Sequence, residues 1–161
     1  YKLCRKKWQK MFKKNQIKFD RPFNFNIISN LLSYGNFESC IKGRWLSNYI
    51  LESTFNIGKI QSTNETFVEL YKNLNKQYNL KNYKSDFDLF FSFVPGTKCN
   101  YHTDTYSIYI IGAYGRTLYK VKDKEYIVSP GDVLYIPAFS PHISISLDPR
   151  IILSFGVYDN V

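Results

Sequence analysis

Cysteine is scarce in this chain of 161 residues and follows no recognisable pattern. The three cysteines, Cys4, Cys40 and Cys99, lie far apart, none belongs to a C-x-x-C pair, and their number is odd. This distribution excludes a disulfide framework and a zinc knuckle, because both need regularly spaced cysteines. It predicts a reducing, intracellular location, with the cytoplasm as the simplest choice.

Long hydrophobic runs are also missing. No apolar segment reaches the roughly 20 residues that a helix needs to cross a bilayer, and the first residues lack the apolar stretch and cleavage site of a secretory signal. We therefore expect no membrane partner. Hydrophobic residues nevertheless make up 44% of the chain and aromatic residues 18%. This composition excludes a disordered protein and predicts one globular domain over residues 1–161.

Acidic residues are outnumbered, with 13 Asp and Glu against 22 Lys and Arg and a net charge of +9. The excess is concentrated in residues 1–21, where nine basic residues face only Asp20, whereas the rest of the chain is nearly neutral. Two interpretations of this basic N-terminal arm stay open. It is either the solvated face of a helix that carries Trp8, Met11 and Phe12 on its other side, or a contact surface for an acidic partner such as RNA.

The periodicity of the hydrophobic residues changes near Asp86. Residues 1–85 are predicted to form a helical N-terminal region, with the clearest helix at 65–79, where apolar residues recur every three or four positions. Weaker helical patterns surround "NIISNLLSYG" and "RWLSNYILES". From Asp86 onward, short runs of aromatic and β-branched residues end in tight turns, which predicts six or more strands in a barrel or sandwich.

Histidine occurs only twice, at His102 and His142, and both residues lie in these β segments. Asp104 follows His102 at a spacing of two, and residues two apart on a strand point to the same face. With His142, 38 residues further on, they would complete the two-histidine, one-carboxylate set that binds Fe(II) and leaves coordination positions open. An isolated H-x-D pair is equally compatible with a surface or turn feature, so both interpretations stay open at this point.

A wider pattern surrounds the three residues. A Pro-Gly turn precedes H-x-D, an aromatic-rich strand and a Gly-Arg step follow it, and "PGDVLYIP" and "PH" come later in the same order. The stretch from Phe91 to Val157, "FSFVPGTKCNYHTDTYSIYIIGAYGRTLYKV" and then "SPGDVLYIPAFSPHISISLDPRIILSFGV", resembles the double-stranded β-helix core of the Jumonji C (JmjC) oxygenases, and most closely the ribosomal oxygenases of the cupin type. The resemblance implies a mostly β fold, a cupin or jelly-roll barrel over residues 86–161 with N-terminal helices packed on it.

The resemblance also implies an activity. It implies an oxygenase, a hydroxylase that uses Fe(II), O2 and 2-oxoglutarate, with His102, Asp104 and His142 as the metal ligands of the catalytic centre. The substrate would be a protein or peptide, with RNA or a small metabolite as further candidates. Two alternatives remain, namely a metal-binding cupin enzyme that does not use 2-oxoglutarate, and a non-catalytic cupin-type binding module.

One position departs from the family pattern. The family carries a Lys or Arg on the strand after the Gly-Arg step, where it holds the distal carboxylate of 2-oxoglutarate, and this chain has Thr117 there. A hydroxyl cannot supply the charge-assisted pair that a cation gives a carboxylate. The candidates for binding the cosubstrate are therefore Thr117 itself, Arg116 if a β-bulge re-aims it, and Tyr106 on the inward face. Lys120 and Arg150 are further sources of the charge.

Overall fold

The computed structural model describes residues 11–19, 23–32, 37–39, 54–63, 65–80 and 83–159. The helix predicted around "RWLSNYILES" lies outside these residues, as do positions 1–10 and 20–21 of the basic arm. None of the helices within the described ranges is long and apolar enough to span a membrane.

Strands dominate the described part of the chain. It contains two α-helices, a short 3-10 turn at Ile60–Ser62 and ten strands. In chain order the elements are β1 (Phe12–Lys13), α1 (Asn26–Leu32), β2 (Phe37–Ser39), β3 (Thr54–Ile57), α2 (Glu65–Gln77), β4 (Tyr83–Ser92), β5 (Ser107–Tyr114), β6 (Thr117–Val121), β7 (Lys124–Val128), β8 (Val133–Ile136), β9 (His142–Ser146) and β10 (Arg150–Asp159).

The strands form two antiparallel sheets. The larger sheet has seven strands in the order β1-β8-β5-β10-β4-β3-β2, and the smaller one has three in the order β7-β6-β9. One hydrophobic core lies on the helical side of the larger sheet, where Phe67 and Tyr71 of α2 contact the rings of Phe87 and Phe155. The second core involves side chains from both sheets, which makes the space between the sheets the interior of a barrel.

Strand β5 is apolar almost without a break because both of its faces are buried. Tyr109 and Ile111 belong to the core under α2, whereas Ile108 and Ile110 belong to the core between the sheets. Successive residues of a strand point to opposite faces, so a strand that is covered on both faces needs apolar residues at every position.

The N-terminal half contains more β structure than predicted. Helix α2 begins at the predicted residue and ends at Gln77 rather than 79, and α1 lies within "NIISNLLSYG". Strands β2 and β3, however, extend the larger sheet beyond β4. The helix proposed for the basic arm is wrong where the structure describes the arm, because β1 pairs with β8 there.

A buried carboxylate connects the N-terminal segment to the barrel. Asp132 is 3% exposed, and its two oxygens accept the backbone N–H groups of Asn15, at 2.9 Å, and Ser129, at 3.0 Å. We expect Asp132→Ala to lower the free energy of unfolding by about 2–3 kcal/mol, because it leaves two N–H donors without an anionic acceptor. Urea denaturation measures this, with Asp123→Ala in the exposed β6–β7 turn as the control that should change stability by less than about 0.5 kcal/mol. Equal effects of the two substitutions would contradict the assigned role.

Candidate metal centre

Backbone pairing brings the two histidines together. The N–H of His102 donates to the carbonyl of His142 at 3.1 Å, and the N–H of His142 donates back to the carbonyl of His102 at 2.9 Å. The ring centroids are 4.3 Å apart as a result. Asp104 is held beside them because its carbonyl accepts the N–H of Phe139 at 2.7 Å.

Each imidazole is oriented by a carbonyl two residues earlier in the chain. Nδ1 of His102 lies 2.7 Å from the oxygen of Asn100, and Nδ1 of His142 lies 3.0 Å from the oxygen of Ser140. A carbonyl only accepts, so Nδ1 carries a proton in both rings, and in the neutral ring Nε2 carries the free lone pair. The same arrangement orients the histidine ligands of known metal sites.

The free ring nitrogens converge on one carboxylate. Nε2 of His102 lies 3.9 Å from Oδ1 of Asp104, and Nε2 of His142 lies 3.6 Å from Oδ2. Ligand atoms from the three residues all lie within 4.8 Å of one another. Lone pairs on both nitrogens thus face an acceptor with no hydrogen between them, an arrangement that a bound cation would stabilise.

Burial favours the form of His142 that binds metal. The side chain is nearly inaccessible, and desolvation lowers the pKa of His142 below its ordinary value, because burial penalises the charged imidazolium. A neutral imidazole is the state that ligates a metal. His102 is more accessible, so the three residues form a site with a buried side and an open side.

The three residues line a cavity of about 910 Å³ in the barrel. Its walls come from both sheets and include Ile108 and Ile110 of β5 and Tyr119 of β6. A cavity of this volume, with apolar walls and a polar, partly charged end, is of a size typical of small-molecule sites.

One buried cation also lines this cavity. Arg150 begins β10, is 1% exposed, and donates to three hydroxyl oxygens, those of Thr54, Ser92 and Ser144, at 3.3 Å each. Its remaining terminal nitrogen, Nη1, is buried and has no hydrogen-bond partner among the described residues. Within the same ranges no carboxylate forms an ion pair with Arg150, and its three hydrogen-bond partners are neutral hydroxyls.

The family model for the cupin domain matches residues 89–152, which contain all three candidate ligands and Arg150. The chain has a cupin fold. The predicted mostly β barrel of cupin type is thereby confirmed.

Two solved structures of the ribosomal oxygenase YcfD from Escherichia coli share the fold. One, in complex with cobalt and 2-oxoglutarate, aligns with a TM-score of 0.73 and 21% identity over 93% of this chain and 48% of that chain. Another aligns with a TM-score of 0.75 and 20% identity over 97% of this chain and 52% of that one. This chain therefore spans about half the length of the YcfD chains that it matches. No curated protein matches the sequence.

The cupin barrel separates the predicted cosubstrate residues. Tyr106 lines the cavity. Thr117 is fully buried in β6 but does not line the cavity, and its hydroxyl has no hydrogen-bond partner in the described part of the chain. Arg116 points to the surface, where it donates to Asp148 at 2.7 and 3.0 Å. Lys120 is also at the surface, in an ion pair with Glu125 at 2.7 Å.

The hydroxyl groups around Arg150 were not anticipated from the sequence. Thr54 comes from β3, before the matched cupin residues, and Ser92 and Ser144 come from β4 and β9. Serine and threonine in strands carry no signal of their own. The pairing of β3 and β10 with β4 brings Thr54, Ser92 and Arg150 together, and Ser144 approaches from the opposite sheet. From the sequence, Arg150 was predicted only as one of several residues that could supply the positive charge for the cosubstrate.

Proposed function

We propose that this protein is an Fe(II)- and 2-oxoglutarate-dependent oxygenase that hydroxylates its substrate. The observation that carries the proposal is the convergence of two Nε2 atoms and one carboxylate at the wall of the barrel cavity. Two imidazoles and a carboxylate with open coordination positions are the ligand set of non-haem Fe(II) oxygenases. The fold shared with YcfD, whose structure holds cobalt and 2-oxoglutarate, adds support.

The donor set fits an iron ion by its chemistry. His102, Asp104 and His142 would hold it through nitrogen and oxygen atoms, which suit divalent first-row metals, whereas soft thiolate ligands are absent from the described cluster. In such an enzyme bound Fe(II) supplies the chemistry by which O2 oxidises 2-oxoglutarate to succinate and CO2 and converts a substrate C–H bond into C–OH.

In this function the residues of the chain orient the metal ligands and exclude water from the cavity. The carbonyls of Asn100 and Ser140 accept from Nδ1 and orient both rings so that the Nε2 atoms are aimed at the ion site. Apolar side chains such as Ile108 and Ile110 form part of the cavity wall and limit access of water to the reacting groups.

A protein or peptide is the substrate class that the surroundings of the cavity favour. Tyr101, next to His102, is 61% exposed, and Phe139, whose N–H holds Asp104, is 57% exposed. Exposed aromatic side chains beside a site are typical of surfaces that bind another protein. The basic N-terminal arm would add attraction to an acidic partner such as a ribonucleoprotein, and a cytoplasmic location belongs to the same proposal.

Anaerobic titration tests the proposed reaction class. Addition of 2-oxoglutarate to the Fe(II)-loaded protein should give a visible metal-to-ligand charge-transfer band, and admission of O2 should yield succinate even without the main substrate. The Zn(II)-loaded protein is the control, because Zn(II) has a filled d shell and gives no such band. Iron binding without band or succinate would favour a cupin enzyme that does not use 2-oxoglutarate. Failure to bind any divalent metal would favour the remaining alternative, a non-catalytic cupin-type binding module.

A further inference from the structure

We propose that Arg150, together with Tyr119, forms the binding site for the distal carboxylate of the 2-oxo acid, from a different strand than the family pattern predicts. This inference rests on the proposed function. It names the residue that gives the site its preference for a dicarboxylate over a 2-oxo acid with an uncharged end.

The first argument is the uncompensated charge of Arg150. A guanidinium that is 1% exposed carries a large desolvation cost unless it is paired with an anion. Its three hydroxyl partners hold the side chain in place but supply no negative charge, and no described residue is a hydrogen-bond partner of Nη1. A carboxylate in the cavity would satisfy Nη1 and neutralise the charge, and the planar fork of arginine matches that group well.

The second argument is position relative to the candidate ligands. Ser144, which contacts Arg150, lies two residues after His142 on β9, so both side chains point to the same face roughly 7 Å apart along the strand. A metal ion held by His142 and the guanidinium held by Ser144 would thus lie at the two ends of a span that suits a short dicarboxylate. One end would chelate the metal and the other would reach Arg150.

The third argument is a second donor on the same side of the cavity. Tyr119 pairs with Ser144 across β6 and β9 and lines the cavity together with Arg150. Burial raises the pKa of Tyr119 well above its ordinary value, so the hydroxyl keeps its proton and can donate to a carboxylate.

The register also explains why Thr117 does not take this role. On β6, Val121 pairs with His142, Tyr119 with Ser144 and Thr117 with Ser146. Thr117 therefore lies roughly 13 Å along the strand from the pair that contains the metal ligand, which is too far for a side chain as short as threonine. The positive charge comes instead from Arg150 on β10, which donates to Ser144, the residue paired with Tyr119.

A comparison of two ligands on the metal-loaded protein tests the proposal without turnover. The probes are 2-oxoglutarate and 2-oxopentanoate, which has the same carbon chain but ends in a methyl group, and binding to the anaerobic Fe(II) protein is followed by the charge-transfer band. The unaltered protein should bind 2-oxoglutarate at least about 30-fold more tightly. Arg150→Met should remove most of this preference by weakening 2-oxoglutarate about 30-fold or more, while 2-oxopentanoate changes less than about threefold.

Further variants make the outcome decisive. Arg116→Met, at the exposed ion pair with Asp148, is the matched control and should leave both affinities unchanged. Tyr119→Phe should weaken 2-oxoglutarate by about 5–10-fold. If Arg150→Met does not fold, as judged by circular dichroism and Co(II) binding, Arg150→Lys replaces it and should keep part of the preference. The ligand comparison on the unaltered protein needs no variant.

The failures of the two proposals are distinguishable. If the unaltered protein binds metal but neither 2-oxo acid, the proposed function fails. If it binds both acids equally, or if a folded Arg150 variant weakens both acids alike, the reaction class survives and the assignment of Arg150 is overturned.

Discussion

His142→Ala is expected to abolish tight binding of Fe(II) or Co(II). The substitution leaves one imidazole and one carboxylate, and it removes the ligand that is buried and oriented by the carbonyl of Ser140. Loss of a group that merely supports a metal ligand costs about 10–100-fold in affinity, so the loss of a ligand should exceed that range. The same result is expected for His102→Ala and Asp104→Ala.

Metal-linked stability measures this effect. A ligand that binds only the folded state stabilises it by about 2.7 kcal/mol at a free concentration of 100 times its Kd. Co(II) should therefore raise the Tm of the unaltered protein and leave that of His142→Ala unchanged. Tyr101→Ala is the control, since this exposed residue adjoins His102 but supplies no ligand atom from its side chain. A normal Tm increase in His142→Ala would remove His142 from the metal site and, with it, the basis of the proposed function.

The candidate ligands could be found from the sequence because two of them lie only two residues apart and the chain has only two histidines. The strand expected to carry His102 and Asp104 is wrong, however, because β5 begins at Ser107, His102 forms an isolated bridge with His142, and Asp104 lies in the loop between His102 and β5. What could not be predicted is the pairing of His102 with His142, which depends on how two distant segments of the barrel meet.

The surroundings of Arg150 show the limit of the same reasoning. Its partners Thr54, Ser92 and Ser144 are separated from it by 96, 58 and 6 residues, and no local pattern relates them. Arg116, by contrast, was predicted to bind the cosubstrate because it is next to Thr117, the position at which the family carries its Lys or Arg. Its side chain instead meets Asp148 across a turn, a contact that depends on tertiary structure.

The β region was predictable because its signals are local. Apolar runs closed by Gly and Pro turns indicate strands wherever they occur, and the structure has seven strands from β4 onward. Strands β1, β2 and β3 were missed because they are two to four residues long. Segments of that length carry too little periodicity to be distinguished from loops, and their pairing with the larger sheet decides their conformation.

Gly112→Ala is expected to have the largest effect on stability. Gly112 lies on β5, where an added Cβ would stand 2.6 Å from the carbonyl carbon of Ser129 and closer still to its oxygen. These are backbone atoms of a turn that hydrogen bonds hold against β5, from Gly112 N–H to the Asp132 carbonyl at 3.0 Å and from Gly131 N–H to the Gly112 carbonyl at 2.9 Å. The turn cannot withdraw without losing both bonds, so the free energy of unfolding should fall by more than about 4 kcal/mol.

Gly58→Ala is the matched control for this substitution. The nearest atom to a Cβ at Gly58 is Oδ1 of Asp88 at 3.5 Å, an ordinary van der Waals contact. Urea denaturation of both variants should therefore separate them by several kcal/mol, with Gly58→Ala within about 1 kcal/mol of the unaltered protein. Because β5 pairs with β8 and β10, the damage in Gly112→Ala should extend to the barrel and reduce Co(II) binding as well. Comparable stabilities of the two variants would mean that β5 and the Ser129–Asp132 turn are not in close contact, and the packing described for this side of the barrel would then be wrong.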